Sequence, residues 1–101
     1  MTKPLRFDDE AVEEMDAAAE WYEARREDLG LEFVAEVRQA LIAIANAPHT
    51  WPQVAGEEPR VRRVLLRRFP YAIVYIQLDA EIRILAVAHT SREPGFWRTR
   101  R

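Results

Sequence analysis

A chain of 101 residues with 49% apolar side chains has the length of one domain and material for one core. It contains no cysteine, which excludes a disulfide scaffold and any thiolate metal site. The charged fraction is 32% and the formal net charge −2, which excludes a grossly basic body that wraps nucleic acid and an acidic disordered tail.

No apolar run approaches the length of a membrane span, and the opening MTKPLRFDDEA lacks an apolar signal core, so a cytoplasmic protein without a membrane partner is expected. The small net charge conceals a division. Residues 1–59 carry 5 Lys or Arg against 14 Asp or Glu, whereas residues 60–101 carry 10 Arg against 3 acids. Lys3 is the sole lysine among 15 basic residues. Arginine favours planar, bidentate contacts to carboxylate or phosphate, so the C-terminal part can meet an acidic surface although the whole chain is not basic.

In chain order, Pro4 to Phe7 is predicted to be a short edge strand, where proline is tolerated. Asp8 or Asp9 then offers a capping carboxylate, with further acids in the first turn where the helix dipole favours them. Apolar residues at Ala11, Met15, Ala18, Tyr22 and Leu29 recur near the helical period. Gly30 is expected to close that helix as a C-cap glycine. A second helical stripe follows at Phe33, Val34, Val37, Ala40, Leu41 and Ile44, ending at Asn46-Ala47-Pro48. Two helices with a short break suggest a helical hairpin.

His49 to Pro59 reads as an irregular loop anchored by Trp51. The period then changes to two. Arg60 to Leu66 is predicted as a strand with Arg on one side for part of its length, and Phe69-Pro70 as a turn. Tyr71 to Leu78 is β-branched and aromatic, a strong strand signal. After a turn at Asp79-Ala80, Ile82, Ile84, Ala86 and Ala88 alternate with Arg83, Leu85, Val87 and His89, as in the second arm of an antiparallel hairpin. The tail, SREPGFWRTRR, lies beyond the last strand. The predicted fold is one α+β domain over residues 1–101: a strand, a helical hairpin, then a three-stranded antiparallel meander with the helices on one face of the sheet.

Several segments in this order and spacing, AEWYE, LGLEFVAEVRQALIAIANAPHTWP, RRFPYAIVYI and ILAVAHTSREPGFWR, resemble the RelE/ParE family of bacterial type II toxins, from about Leu5 to Arg98. The resemblance implies a toxin that a cognate antitoxin neutralises by wrapping around it in a hetero-oligomer. One branch of the family cleaves messenger RNA on the ribosome; the ParE-like branch poisons DNA gyrase. It implies no cofactor.

Ribonuclease chemistry needs a base for the ribose 2′-hydroxyl, a cation for the phosphorane charge and an acid for the leaving oxygen. The nuclease branch has a basic residue directly after the strand tyrosine; here Ala72 follows Tyr71. A second family lysine falls near Leu65, while Arg63 retains a basic position. The family's C-terminal catalytic Arg falls on Thr90, with Arg92 two residues on, and its tyrosine falls on Phe96 or Trp97, neither of which exchanges a proton at neutral pH. These departures favour the ParE-like branch. For a nuclease the candidates are His89, Arg63 and Arg92. His89, at the end of the last strand, is either a general base or a hydrogen-bonded residue that holds the tail.

Arg60, Arg62, Arg63, Arg67 and Arg68 form the densest charge cluster. They either contact an antitoxin, gyrase or nucleic acid, or make a solvated strand face that protects an edge. Arg92, Phe96, Trp97 and Arg98 mix cations with aromatics, as interface hot spots do; the alternative is that Trp97 pins the tail to the core. Trp21 and Tyr22 diverge on a helix by about 100°, so Tyr22 takes the core stripe and Trp21 becomes the candidate antitoxin contact. Glu10, Glu13, Glu14, Glu20, Glu23 and Glu27 read as a solvated helix face. Two histidines and scattered carboxylates make no metal motif, and there is no glycine-rich phosphate loop. The possible partners are thus the antitoxin with DNA gyrase, or the antitoxin with ribosome and messenger RNA. A toxin homologue without activity is a third reading.

Overall fold

The computed structural model describes residues 3–54, 56, 61–93 and 95–100. The elements run β1 (Leu5–Phe7), α1 (Asp9–Glu23), α2 (Leu29–Asn46), β2 (Val61–Leu65), β3 (Tyr71–Gln77) and β4 (Ile82–His89), with a closing 3₁₀ helix at Phe96–Arg100. They form a four-stranded sheet in the order β1-β4-β3-β2. β2, β3 and β4 make the expected antiparallel meander, and β1 is an edge strand running parallel to β4. The predicted first meander strand began at Arg60, which lies outside the described residues.

Both helices pack on one face. Ala11 and Ala18 of α1 and Phe33, Val37 and Ile44 of α2 meet Val64, Ile73, Tyr75, Ile82, Ile84 and Val87 of the sheet in the main core. These helix positions are those of the apolar stripes, so burial of one face per helix accounts for the hairpin. The opposite sheet face carries a second core of Val61, Val74, Ile76, Leu85, Ala86 and Ala88, closed by Trp97 of the 3₁₀ helix. The tail is therefore a cover for that face.

Three local expectations need correction. Gly30 does not end α1. It is the second residue of α2, and a Cβ there would stand 2.5 Å from the Ala19 carbonyl oxygen, so glycine is required where the two helices touch. The left-handed residue of the break is Asp28, with φ 69°. Asp8 makes no side-chain cap; its carboxylate instead accepts from Arg83 Nε at 2.6 Å and Nη2 at 3.0 Å. The acidic face of α1 is not wholly solvated. Glu23 accepts the N–H groups of Asp28 and Gly30, at 2.9 and 3.0 Å, and so caps the start of α2, while Glu14 turns into the structure. Arg62 and Arg63 lie on opposite sides of β2 because neighbouring strand residues alternate faces.

The strict alternation predicted for β4 also fails. Val74 pairs with Ala86 but Tyr75 with Ile84, which leaves Leu85 as the extra residue of a β-bulge. Leu85 and Ala86 both enter the second core. Every residue beyond them changes side, so Val87 faces the helices and His89 lies across from Tyr71.

Candidate functional site

The bulge decides what stands at the C-terminal end of β4. On the helix side, a groove of about 600 Å³ runs between α1 and the ends of β3 and β4. Ala17, Ala18 and Val87 contribute its aliphatic lining, Tyr22 and Tyr71 its rings, and Glu14, His89 and Arg92 its polar end. Trp21 stands at this groove 52% exposed. It packs edge-on against Tyr22 at 5.1 Å, with the Arg25 guanidinium 3.6 Å above its ring. Such an indole offers a partner a large apolar surface already fixed in orientation.

Burial pushes the Tyr22 and Tyr71 phenols above the ordinary range, helped by Tyr71 in the case of Tyr22 and by Glu14 in the case of Tyr71. Both therefore stay protonated at neutral pH. His89 packs on Tyr71 at 5.3 Å, and its Nδ1 accepts the Ser91 N–H at 3.0 Å with the Ser91 Oγ 2.7 Å away. That arrangement puts the proton of the neutral ring on Nε2.

Glu14 is the residue that sequence reasoning missed. β1 ends at Phe7, so the outer side of β4 past Ile84 has no strand neighbour. Three groups cover it. The Asp8 N–H donates to the Ile84 carbonyl, Arg100 Nη1 donates to the Leu85 carbonyl, and Glu14 Oε1 accepts the Val87 N–H at 3.1 Å. Glu14 also accepts from both Nη atoms of Arg100, at 3.1 and 3.0 Å, and from Arg92 Nη1 at 3.1 Å. Hydrogen bonding to Glu14 holds the Arg100 guanidinium above its usual range. Arg83 adds a bond to the Arg100 carbonyl, so the tail is latched to α1 and β4 together. A partner 86 residues away leaves no trace in a local pattern.

The remaining candidates fall in three places. Arg62 donates to the Trp51 carbonyl at 2.6 Å and fixes the loop. Arg67 and Arg68 are exposed at the β2–β3 turn, where their N–H groups share Glu36 Oε2, and Arg68 also pairs with Glu32 at 2.6 Å. On the sheet face away from the helices, a depression of about 50 Å³ is lined by Arg63, Thr90, His89 and Arg92 over Ala72, Val74 and Ala88, with Phe96 and Trp97 alongside. Arg92 stacks on Phe96 at 3.9 Å. Trp97 is only 3% exposed, so its ring belongs to the second core. Arg98 is exposed, its guanidinium lying over Gly95.

Residues 5–94 match the family model of the ParE toxin of the type II toxin–antitoxin system parDE. The chain belongs to the ParE toxin family. The toxin's fold is also that of solved relatives. The chromosomal ParDE toxin–antitoxin system of P. aeruginosa matches with a TM-score of 0.75 at 20% identity, over 87% of this chain and 96% of that one. A double mutant of the E. coli toxin RelE in the free state matches at 0.67 and 17% identity, over 98% and 93%. The isolated E. coli RelE toxin matches at 0.67 and 18%, over 96% and 94%. Identities this low show the shared fold, not a shared target. A search of curated protein sequences returns no match. Among the described residues there is no cluster of metal-ligating side chains and no helix long and apolar enough to cross a membrane.

Proposed function

We propose that this ParE-family toxin is held inactive by a cognate antitoxin in the cytoplasm and acts by binding DNA gyrase, not by cutting RNA. The observation that supports binding is the make-up of the Arg63 depression. Its volume is about 50 Å³, whereas sites for small organic ligands hold several hundred. Ala72 and Leu65 stand where the nuclease branch has basic residues. No tyrosine lines the depression, Tyr71 of the helix-side groove stays protonated, and His89 Nδ1 is already occupied by Ser91, so a ready base for the 2′-hydroxyl is lacking.

The aromatic groove supports the antitoxin as partner. Rigid exposed aromatics beside an apolar trough suit anchor side chains of a docking helix. For an added strand, β1 is the edge to use. The first residues of β2 already pair with the loop, through Val54 N–H to the Val61 carbonyl at 2.7 Å and Arg63 N–H to the Pro52 carbonyl at 3.2 Å.

One observation favours the RelE-like alternative: Arg63, His89 and Arg92 all line the same depression. Expression of the His89→Ala variant separates the two readings. The binding reading expects growth inhibition to persist and to be reversed by the antitoxin. Loss of toxicity in a variant that still folds and still binds antitoxin would overturn it.

A further inference from the structure

We infer that the depression beside Arg63 is a receptor for a single carboxylate, supplied by an Asp or Glu side chain of the antitoxin. The proposal rests on the toxin–antitoxin reading for the source of that carboxylate, and on the geometry below for the site.

The first observation is an unmet donor. Trp97 lines the depression, its ring is buried, and its indole Nε1–H has no acceptor among the described residues. Buried N–H groups in folded proteins are nearly always paired, because an unpaired one bears its whole desolvation cost. The second observation is the company it keeps. Arg63 is exposed and its side chain has no ion-pair or hydrogen-bond partner among the described residues. Arg92 spends one bond on Glu14 and stands over the Phe96 ring, which leaves most of its donors available. Thr90 adds a hydroxyl. No lining residue carries a carboxylate. Two cations and a hydroxyl thus border one small space with no carboxylate among its lining residues, and the ring that carries the unmet N–H lines it as well.

Size and charge choose the occupant. A volume near 50 Å³ exceeds the roughly 10–15 Å³ that one water molecule needs, and suits a planar carboxylate end-on. The aliphatic floor of Ala72, Val74 and Ala88 would meet the methylene stem of an Asp or Glu. The chain as a whole is acidic, which disfavours a phosphate polymer and leaves a local match to one acidic side chain. Arginine with carboxylate is the pairing that the planar fork serves best.

The test uses the full-length toxin labelled with nitrogen-15. Trp21→Phe and Trp51→Phe identify the Trp97 indole signal by elimination. Titration with acetate should move that signal saturably, and Arg63→Ala should weaken acetate binding at least tenfold. Inorganic phosphate should bind no better than acetate. In a second arm, Arg63→Ala should raise the antitoxin Kd about tenfold. An unmoved Trp97 signal, equal acetate binding by Arg63→Ala, or tighter binding of phosphate overturns the site. Acetate binding with an unchanged antitoxin Kd overturns the antitoxin as its source. The acetate arm needs no antitoxin, so failure of the toxin–antitoxin reading cannot be mistaken for failure of the site.

Discussion

Glu14→Ala is expected to be the most destabilising change on the surface of α1. Its side chain is 17% exposed and Arg100 is 11% exposed, whereas Arg92 is 48% exposed. Removing the carboxylate leaves the Val87 N–H without an acceptor, at a cost of about 1–3 kcal/mol. It also strips Arg100 of a two-pronged, largely buried pair, which adds about 1–2 kcal/mol. The exposed Arg92 pair adds less than about 1 kcal/mol. A total near 3 kcal/mol follows, and for a domain of this size that lowers Tm by roughly 12–24 °C. Urea unfolding of Glu14→Ala, Glu13→Ala, Arg92→Ala and Arg100→Ala checks the ranking. Glu13 is exposed and should cost no more than about 0.5 kcal/mol. Arg92→Ala should cost about 1 kcal/mol or less, and the double variant of Glu14 and Arg100 less than the sum of the two singles. If Glu14→Ala matches Glu13→Ala, the latch has no energetic weight and the description of the tail is wrong.

Three further outcomes follow from single residues. Gly30→Ala should destabilise by about 1–3 kcal/mol through overpacking against the Ala19 carbonyl, although alanine is the better helix former; a gain in Tm would refute the close approach. Tyr75 is fully buried and donates to the Pro48 carbonyl at 2.6 Å, and burial pushes its phenol up to about 12. Its folded value lies above the unfolded one, so stability is intact below pH 10 and falls by about 2 kcal/mol as pH rises from 10 to 12. Tyr75→Phe should be less stable at neutral pH and should lose that part of the alkaline slope. Trp21→Ala should leave Tm almost unchanged yet weaken antitoxin binding about thirtyfold, or 2 kcal/mol; unchanged affinity by titration calorimetry would remove Trp21 from the interface.

Periodicity carries much of this fold. The Phe33, Val37 and Ile44 stripe of α2 and the β-branched run of β3 are plain in the sequence because one period, 3.6 or 2, is buried along their whole length. The bulge was not legible. Leu85 and Ala86 are both apolar, so either alternation fits the letters, and the choice is made by packing beneath Trp97. The same limit hid the second core, since Phe96 and Trp97 suit a binding surface as well as a buried cover. Glu14 and Glu23 look like other helix acids until chain segments distant in sequence bring Val87, Arg92, Arg100 and Gly30 to them. Trp21 was readable from angle alone, because a helix that buries Tyr22 must turn its neighbour outward.

The proposed toxin binds its target and cuts nothing. Purified toxin incubated with DNA gyrase and supercoilable plasmid, and in parallel with ribosomes carrying message, tests it most directly. A toxin that binds gyrase gives inhibited supercoiling with trapped DNA cleavage, and intact message. Cleaved ribosome-bound message with gyrase unaffected would contradict it.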